Sequence, residues 1–155
     1  MATFSVEEYI KHIDVVIDKL QNDLATTLEE VWAKDMVSRI TNRVENDAKN
    51  ADGGSFSPYS PKYLKWKKAK KGFLGEDKNF ALTREMWDKF NVTNRKRKAG
   101  FFEVTLAGTN ADAQIKINVN SKREDRSIIE PSEKEEEAQR VFLQKWIFDF
   151  LSKEL

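Results

Sequence analysis

Apolar residues recur at Val6, Tyr9, Ile10, Ile13, Val16, Ile17, Leu20, Leu24, Leu28, Val31 and Trp32, and again at Met36, Val37, Ile40 and Val44. Steps of three and four are the period of an amphipathic helix, and no glycine or proline interrupts them before Gly53. Ser5 and Glu8 open the run as a capping box: the hydroxyl accepts from the third helical N–H, and the carboxylate reaches back to the N–H of the capping residue. One continuous helix over residues 5–49 would be about 60 Å long, whereas a compact domain of this size is about 40 Å across. The helix therefore either breaks, with the break expected near Thr26-Thr27, or projects beyond the body. If it projects, part of its stripe lacks cover within one chain. Trp32, Val37, Ile40 and Val44 are then the candidate subunit-contact residues.

The chain of 155 residues is the size of one domain and can bury about two thirds of its unfolded surface. It needs neither disulfide nor metal to fold. The absence of cysteine excludes thiolate metal sites, cysteine nucleophiles and disulfides, and fits folding in a reducing cytosol. Charged residues make up 34% of the chain, but four Trp, ten Phe and three Tyr separate it from disordered sequences. A net charge of +1 leaves any attraction to DNA or membranes to local patches. No stretch approaches the roughly 20 apolar residues of a membrane span, and the first twelve residues lack the basic start and apolar run of a signal peptide.

The character changes after residue 49. Asn50-Ala51-Asp52-Gly53-Gly54-Ser55 reads as a turn. Pro58 and Pro61 then push the residues before them toward extended geometry. Ser60 caps a short helix with Pro61 in its first position, ending near Gly72. The segment 50–80, rich in Gly, Pro, Ser and Lys, is expected to be mobile. Thr83 caps a helix over residues 83–93 holding Met86, Trp87 and Phe90. Arg95-Lys96-Arg97-Lys98 is a basic connector. Alternation at Phe102, Val104 and Leu106 and at Ile115, Ile117 and Val119 predicts a hairpin over residues 101–119. Two strands alone are marginal, so a further strand is expected between Phe73 and Val92 or from a neighbouring subunit. Ser132 caps a last helix over residues 132–154, with Glu133 and Glu135 to Glu137 suiting the positive end of its dipole. Trp146 and Phe142 are expected to pack on Ile13, Ile17 and Leu20. The fold class is α+β: a long N-terminal helix and a C-terminal helix packed on a small antiparallel sheet, in one domain, 1–155.

Little in the chain points to catalysis. His12, the single histidine, sits on the rim of the first stripe, as a surface histidine does. HExxH, GxSxG, GxxxxGK[ST] and GxGxxG patterns are absent. Glu7-Glu8 and Glu135-Glu136-Glu137 lie in first turns, where acids are expected anyway, and Asp112 reads as turn chemistry. No catalytic, cofactor-binding or metal-ligating residue is expected, and no cofactor. The strongest local charge feature is Lys62, Lys65, Lys67, Lys68, Lys70 and Lys71, interleaved with Tyr59, Tyr63, Trp66 and Phe73. Together with Arg95, Lys96, Arg97 and Lys98, these lysines are the candidate partner- or DNA-facing residues. Cations supply phosphate contacts and aromatics supply stacking faces. A short helix docking by its aromatic face has the same appearance.

The segment Phe56-Ser57-Pro58-Tyr59-Ser60-Pro61-Lys62-Tyr63-Leu64-Lys65-Trp66-Lys67 resembles tailed-phage virion-morphogenesis and tail-completion proteins. These often carry an aromatic, a Pro-Leu-Ser-like step, a Tyr and a lysine-rich stretch. Leu82-Thr83-Arg84-Glu85-Met86 stands where that family has a Leu-Thr-Gly-x-Leu-like element, with Arg84 in place of the usual glycine. Strands, an Arg-containing loop (here Arg126 to Pro131) and a C-terminal helix follow in the family's order. The resemblance implies a non-enzymatic head–tail connector, neck or tail-completion subunit, one copy in a homo-oligomeric ring. Its partners would be itself and the neighbouring connector and tail-tube proteins. Its place would be the virion, after synthesis in the bacterial cytoplasm. The alternative is a DNA-binding module using the two basic patches.

Overall fold

The structure, a computed structural model, describes residues 5–69, 78, 80, 85–98 and 101–154. Lys70, Lys71, Gly72, most of the loop 73–80, and Thr83 with the rest of residues 81–84 lie outside the described residues.

The N-terminal run is helical throughout but not uniform. α1 (Val6–Thr27) begins in the expected box, with Ser5 Oγ accepting from Glu8 N and Glu8 accepting from Ser5 N. Immediately after Thr27 the chain widens into a π-helical turn (Leu28–Trp32), returns to α2 (Ala33–Thr41), and widens again at Asn42–Asn46. The helix therefore does not break near Thr26-Thr27; its pitch changes there, which rotates the stripe without stopping the helix. α3 (Pro61–Lys68) has its predicted cap, Ser60 Oγ accepting from Tyr63 N. α6 (Glu133–Glu154) opens on a second capping box, Ser132 with Glu135.

The middle of the chain differs from expectation. Of the helix placed at 83–93, the described residues form α4 (Glu85–Asp88), which ends before Phe90. At Phe90 the chain turns into β1 (Phe90–Lys98), which takes up the supposed connector at Arg95 to Lys98. Val92 and Thr93 are β-branched and flanked by two Asn, a run that favours strand over helix. β1 pairs antiparallel with β2 (Phe101–Gly108), with a bulge between Val92 and Asn94. The hairpin is therefore 90–108, not 101–119. The sheet has two strands among the described residues, and half of the stretch from Phe73 to Val92, where a further strand is expected, lies outside them. Residues after the hairpin form α5 (Ala111–Glu124), capped by Asn110, whose side chain accepts from Ala113 N. Gly108 is required where β2 meets this helix. A Cβ there would lie 2.5 Å from Gln114 N and 2.8 Å from the Ala113 carbonyl carbon, both backbone atoms.

The result is an α+β domain with long terminal helices on a two-stranded sheet. Its core joins Met36, Ile40 and Val44 from the N-terminal helix to Phe56, Met86, Trp87, Phe90, Ile117 and Ile128. Ile40 and Val44 are 0% exposed. These two expected subunit contacts are thus covered by their own chain, and Val37 packs against the same core. Trp32 is half-buried. The segment 50–69 is also anchored. Phe56 enters the core, and Ser57 donates to Glu124 through both N and Oγ. A shortage of anchoring residues, the reason for expecting mobility there, does not hold over this part.

α6 runs antiparallel to the N-terminal helix. Glu135 pairs with Arg43, Gln139 bonds Asp35, and Glu154 meets His12 and Lys19. Interpolating between these contacts sets Trp146 level with the region of Thr27, not with Ile13 and Ile17. Trp146 is half-buried and stacks on Phe150. Arg43 fastens the lower end of this pair: its guanidinium donates to Glu135 at 3.0 Å, to the Lys49 carbonyl at 2.9 Å and to the Glu130 carbonyl at 2.6 Å. At the other end α1 and α6 form a two-helix arm, where Val6 (76% exposed), Tyr9, Ile10, Val15 and Ile17 on α1 and Phe148 (70%) on α6 are open to solvent.

Candidate functional site

The lysine-rich helix α3 is the feature that the sequence marks for function. Its period decides which lysines face outward. Leu64 and Lys67, three residues apart, turn toward the body, whereas Lys62, Lys65 and Lys68 are exposed. Lys67 is fully buried, with Nζ 4.6 Å from the centre of the Tyr59 ring. It is removed from the set of partner- or DNA-facing residues, because an ammonium lying on an aromatic face inside the protein is held there by the ring's quadrupole. On the outer side Tyr59, Tyr63 and Trp66 form a ladder, with ring centres 4.9 and 5.4 Å apart.

This ladder borders a groove of about 730 Å³ between α3 and α5. Tyr63, Phe80, Met86, Ile115 and Val119 give it apolar walls, and Lys78, Lys116 and Arg123 are its cations. Ile115 and Val119 are expected hairpin residues that α5 instead places four apart on its outer face, both exposed. Inside, Lys78 pairs with Glu124, and both side chains are largely buried. Burial pushes the Glu124 carboxyl up, but hydrogen bonds from Lys78 and Ser57 outweigh it and hold the group below its ordinary value. Lys116 bonds Asp112 at 2.6 Å and Glu85 at 3.3 Å, and these partners raise its pKa. Lys62, Lys65 and Arg123 form no ion pair among the described residues. Phe80, held at φ 54, has its N–H bonded to Tyr59 Oη at 3.1 Å and its ring edge-on to Phe56.

The second basic patch lies elsewhere. Arg95, Lys96 and Arg97 are exposed on β1, with Lys98 at the end of the same strand. Arg97 donates to Glu29 at 2.7 Å and Lys96 lies 3.7 Å from Glu103. The hairpin patch is therefore committed to the N-terminal helix and its own partner strand, while the α3 patch borders α5. Half of the hairpin charge is already matched.

Trp32 lines a separate cavity of about 900 Å³ beneath β2, together with Met36, Val104, Leu106, Ile129 and Gln139. Trp32 Nε1 and Gln139 Oε1 are buried there without a hydrogen-bond partner among the described residues. His12 Nε2 lies 3.1 Å from the Glu154 carbonyl oxygen, so the histidine sits in the α1–α6 contact. Among the described residues no helix is long and apolar enough to cross a membrane.

The groove is not legible in the sequence. The alternation in its α5 wall suggests a strand, and no spacing in the chain ties residues 59–63 to residues 115–123. No protein-family model, no curated protein and no solved structure matches this chain.

Proposed function

We propose that this protein is a non-enzymatic assembly subunit that works as one copy in a ring of identical chains, as the head–tail connector or tail-completion subunit of a phage-like particle. The observation that carries the assembly reading is the α1–α6 arm. Val6, Ile10, Ile17 and Phe148 stand open to solvent on two helices that pack on each other. Exposed apolar residues grouped on one feature mark an interaction site more often than scattered ones do. The phage setting rests on the motif between Phe56 and Met86 and on the order of elements. A ring needs a heterologous contact, in which one surface of a subunit meets a different surface of the next. The arm and the body supply two such surfaces.

The test is mass and image together. Native mass spectrometry of the concentrated protein and imaging of particles that contain it should show repeated copies around an axis. Replacing Ile10 and Ile17 by Glu should leave the monomer folded and stop incorporation. A single off-axis copy per particle, or normal incorporation of that double variant, refutes the proposal.

The Tyr59–Tyr63–Trp66 ladder beside Lys62 and Lys65 supports a second reading, contact with single-stranded nucleic acid by stacking and phosphate pairing. Binding of an oligonucleotide that weakens steeply with salt and is lost in Tyr63→Ala with Trp66→Ala would favour it.

A further inference from the structure

The exposed flank of α1 has a definite chemistry. His12, Val16 and Lys19 mark the side that α6 covers, since His12 and Lys19 reach Glu154 and Val16 is buried. At 3.6 residues per turn, Val6, Ile10, Ile13 and Ile17 fall within a sector of about 60° next to that side. Beyond them, on the edge away from α6, come Glu7, Asp14 and Asp18. The flank is thus an apolar row with an acidic row alongside. α5 presents the converse. Ile115 and Val119 make an exposed apolar pair four residues apart, and Arg123 continues the same row one turn further on. Lys116 lies beside them, whereas Lys62 and Lys65 are exposed on α3 outside the groove lining.

We infer that the acidic apolar flank of α1 seats in the groove between α3 and α5 of a second copy of this chain. The inference rests on the ring reading and names its contact. Helix-in-groove recognition uses apolar anchors at i, i+3/i+4 and i+7. Val6, Ile10, Ile13 and Ile17 have that spacing, and the groove offers Tyr63, Ile115 and Val119 to meet them. Charge sets the register: the acidic row of the arm falls toward Arg123, a groove residue that no carboxylate of its own chain pairs among the described residues. Opposite charges across a contact steer encounter and reject wrong partners. Two like arms meeting antiparallel would set Glu7, Asp14 and Asp18 against the acidic row of the partner, which disfavours that symmetric arm–arm dimer. The contact joins different surfaces, so each copy keeps one arm and one groove to offer. That is the condition for continuing to a ring.

Because the chain has no cysteine, disulfide trapping can be run without background. Full-length Ile10→Cys and Val119→Cys proteins, each checked for an unchanged melting curve, are mixed and oxidised. The mixed disulfide should dominate both homodimers, and the double variant in one chain should give a ladder of multimers. Val6→Cys with Ile115→Cys repeats the test at the neighbouring anchors. Asp14→Lys with Asp18→Lys should reduce trapping at least tenfold, and Arg123→Glu in the other partner should restore it. An excess of Ile10→Cys homodimers overturns the inference in favour of a symmetric arm contact. Oligomers by native mass spectrometry without the link between positions 10 and 119 overturn the inference and leave the ring reading standing. Absence of any oligomer, both in concentrated protein and in the particle, overturns both.

Discussion

Residues 6–24 and 33–44 belong to one apolar stripe on one helical run, yet the molecule treats them differently. Ile40 and Val44 are sealed by Phe56, Trp87, Phe90, Ile117 and Ile128. Ile10, with similar chemistry and the same helical period, is 55% exposed on a helix whose packing partner is α6. Periodicity therefore reports that a face is apolar, and topology decides what covers it. The uncovered part is the first half of the run, where the sequence-based expectation placed it in the second. The error has a physical source. Cover for Ile40 and Val44 comes from residues between 56 and 128, and nothing in the local pattern tells which end of the long helix those elements reach.

The comparison can be broken hardest at Arg43. It ties the end of the N-terminal helix to Glu135 and to two carbonyls, with its side chain and that of Glu135 about nine-tenths buried. Removing one partner of a buried pair leaves the other charge uncompensated, at a cost of about 3–5 kcal/mol. Arg43→Ala should therefore unfold the body or lower its denaturation midpoint more than any single change in the arm. A midpoint shift no larger than that of an exposed control would show that the clamp carries no stability.

Next comes the stripe itself. Ile40→Ala should destabilise by about 2–5 kcal/mol. Ile10→Ala, an exposed position, should stay within roughly 0.5 kcal/mol in the free subunit. Equal effects in chemical denaturation would mean that the arm is covered in solution even in the monomer. Trp146→Ala should fall between them, since Trp146 is half-buried at the junction of arm and body.

What could be read in the chain was what depends on neighbouring residues. Ser5, Ser60 with Pro61, and Ser132 each announce a helix start, and each cap is present. The alternation Ile115, Ile117, Val119 fits a strand over five residues. It equally fits a helix in which Ala113 and Ile117 face inward and Ile115 and Val119 face out. Asn110 as a cap was the available sign of the helix. Conversely, Met86, Trp87 and Phe90 have helical spacing, but Phe90 reaches the core from a strand. The lysine cluster was visible as composition, but the turning inward of Lys67 was not. The groove required a contact between segments some fifty residues apart.

A moderate effect is expected at the groove on acidification. Glu124 is held below its ordinary value of 4.5 by Lys78 and Ser57 against the opposing effect of burial. A depressed carboxyl stabilises the fold above the unfolded value, and that contribution is lost as pH falls through the folded value. The denaturation midpoint should thus drop below about pH 4.5, and Glu124→Gln should flatten that acid limb while lowering the midpoint at pH 7. An acid limb of unchanged slope in the variant would remove Glu124 from the account. Glu8, on the arm, is also depressed but fully exposed, and Glu8→Gln should leave the limb nearly as it is.

The finest contrast is between the two capping boxes, which have the same chemistry in the two regions. Ser132 and Glu135 are buried where α6 enters the body, and Ser5 and Glu8 are exposed at the tip of the arm. Losing a serine cap costs about 0.5–2 kcal/mol, and the measured loss depends on whether the helix end opens on its own. At the body end the first turn of α6 also carries Glu135, the partner of Arg43. Fraying there would undo that clamp, so Ser132→Ala should move the global midpoint by about 1 kcal/mol. At the tip, the first turn of α1 can fray without disturbing the core. Ser5→Ala should leave the global midpoint nearly unchanged and speed amide exchange only over the first turns of α1. If Ser5→Ala shifts the global midpoint as far as Ser132→Ala, the arm unfolds together with the body. The two regions are then one cooperative unit, and the exposed face of α1 is held rigid before any partner arrives.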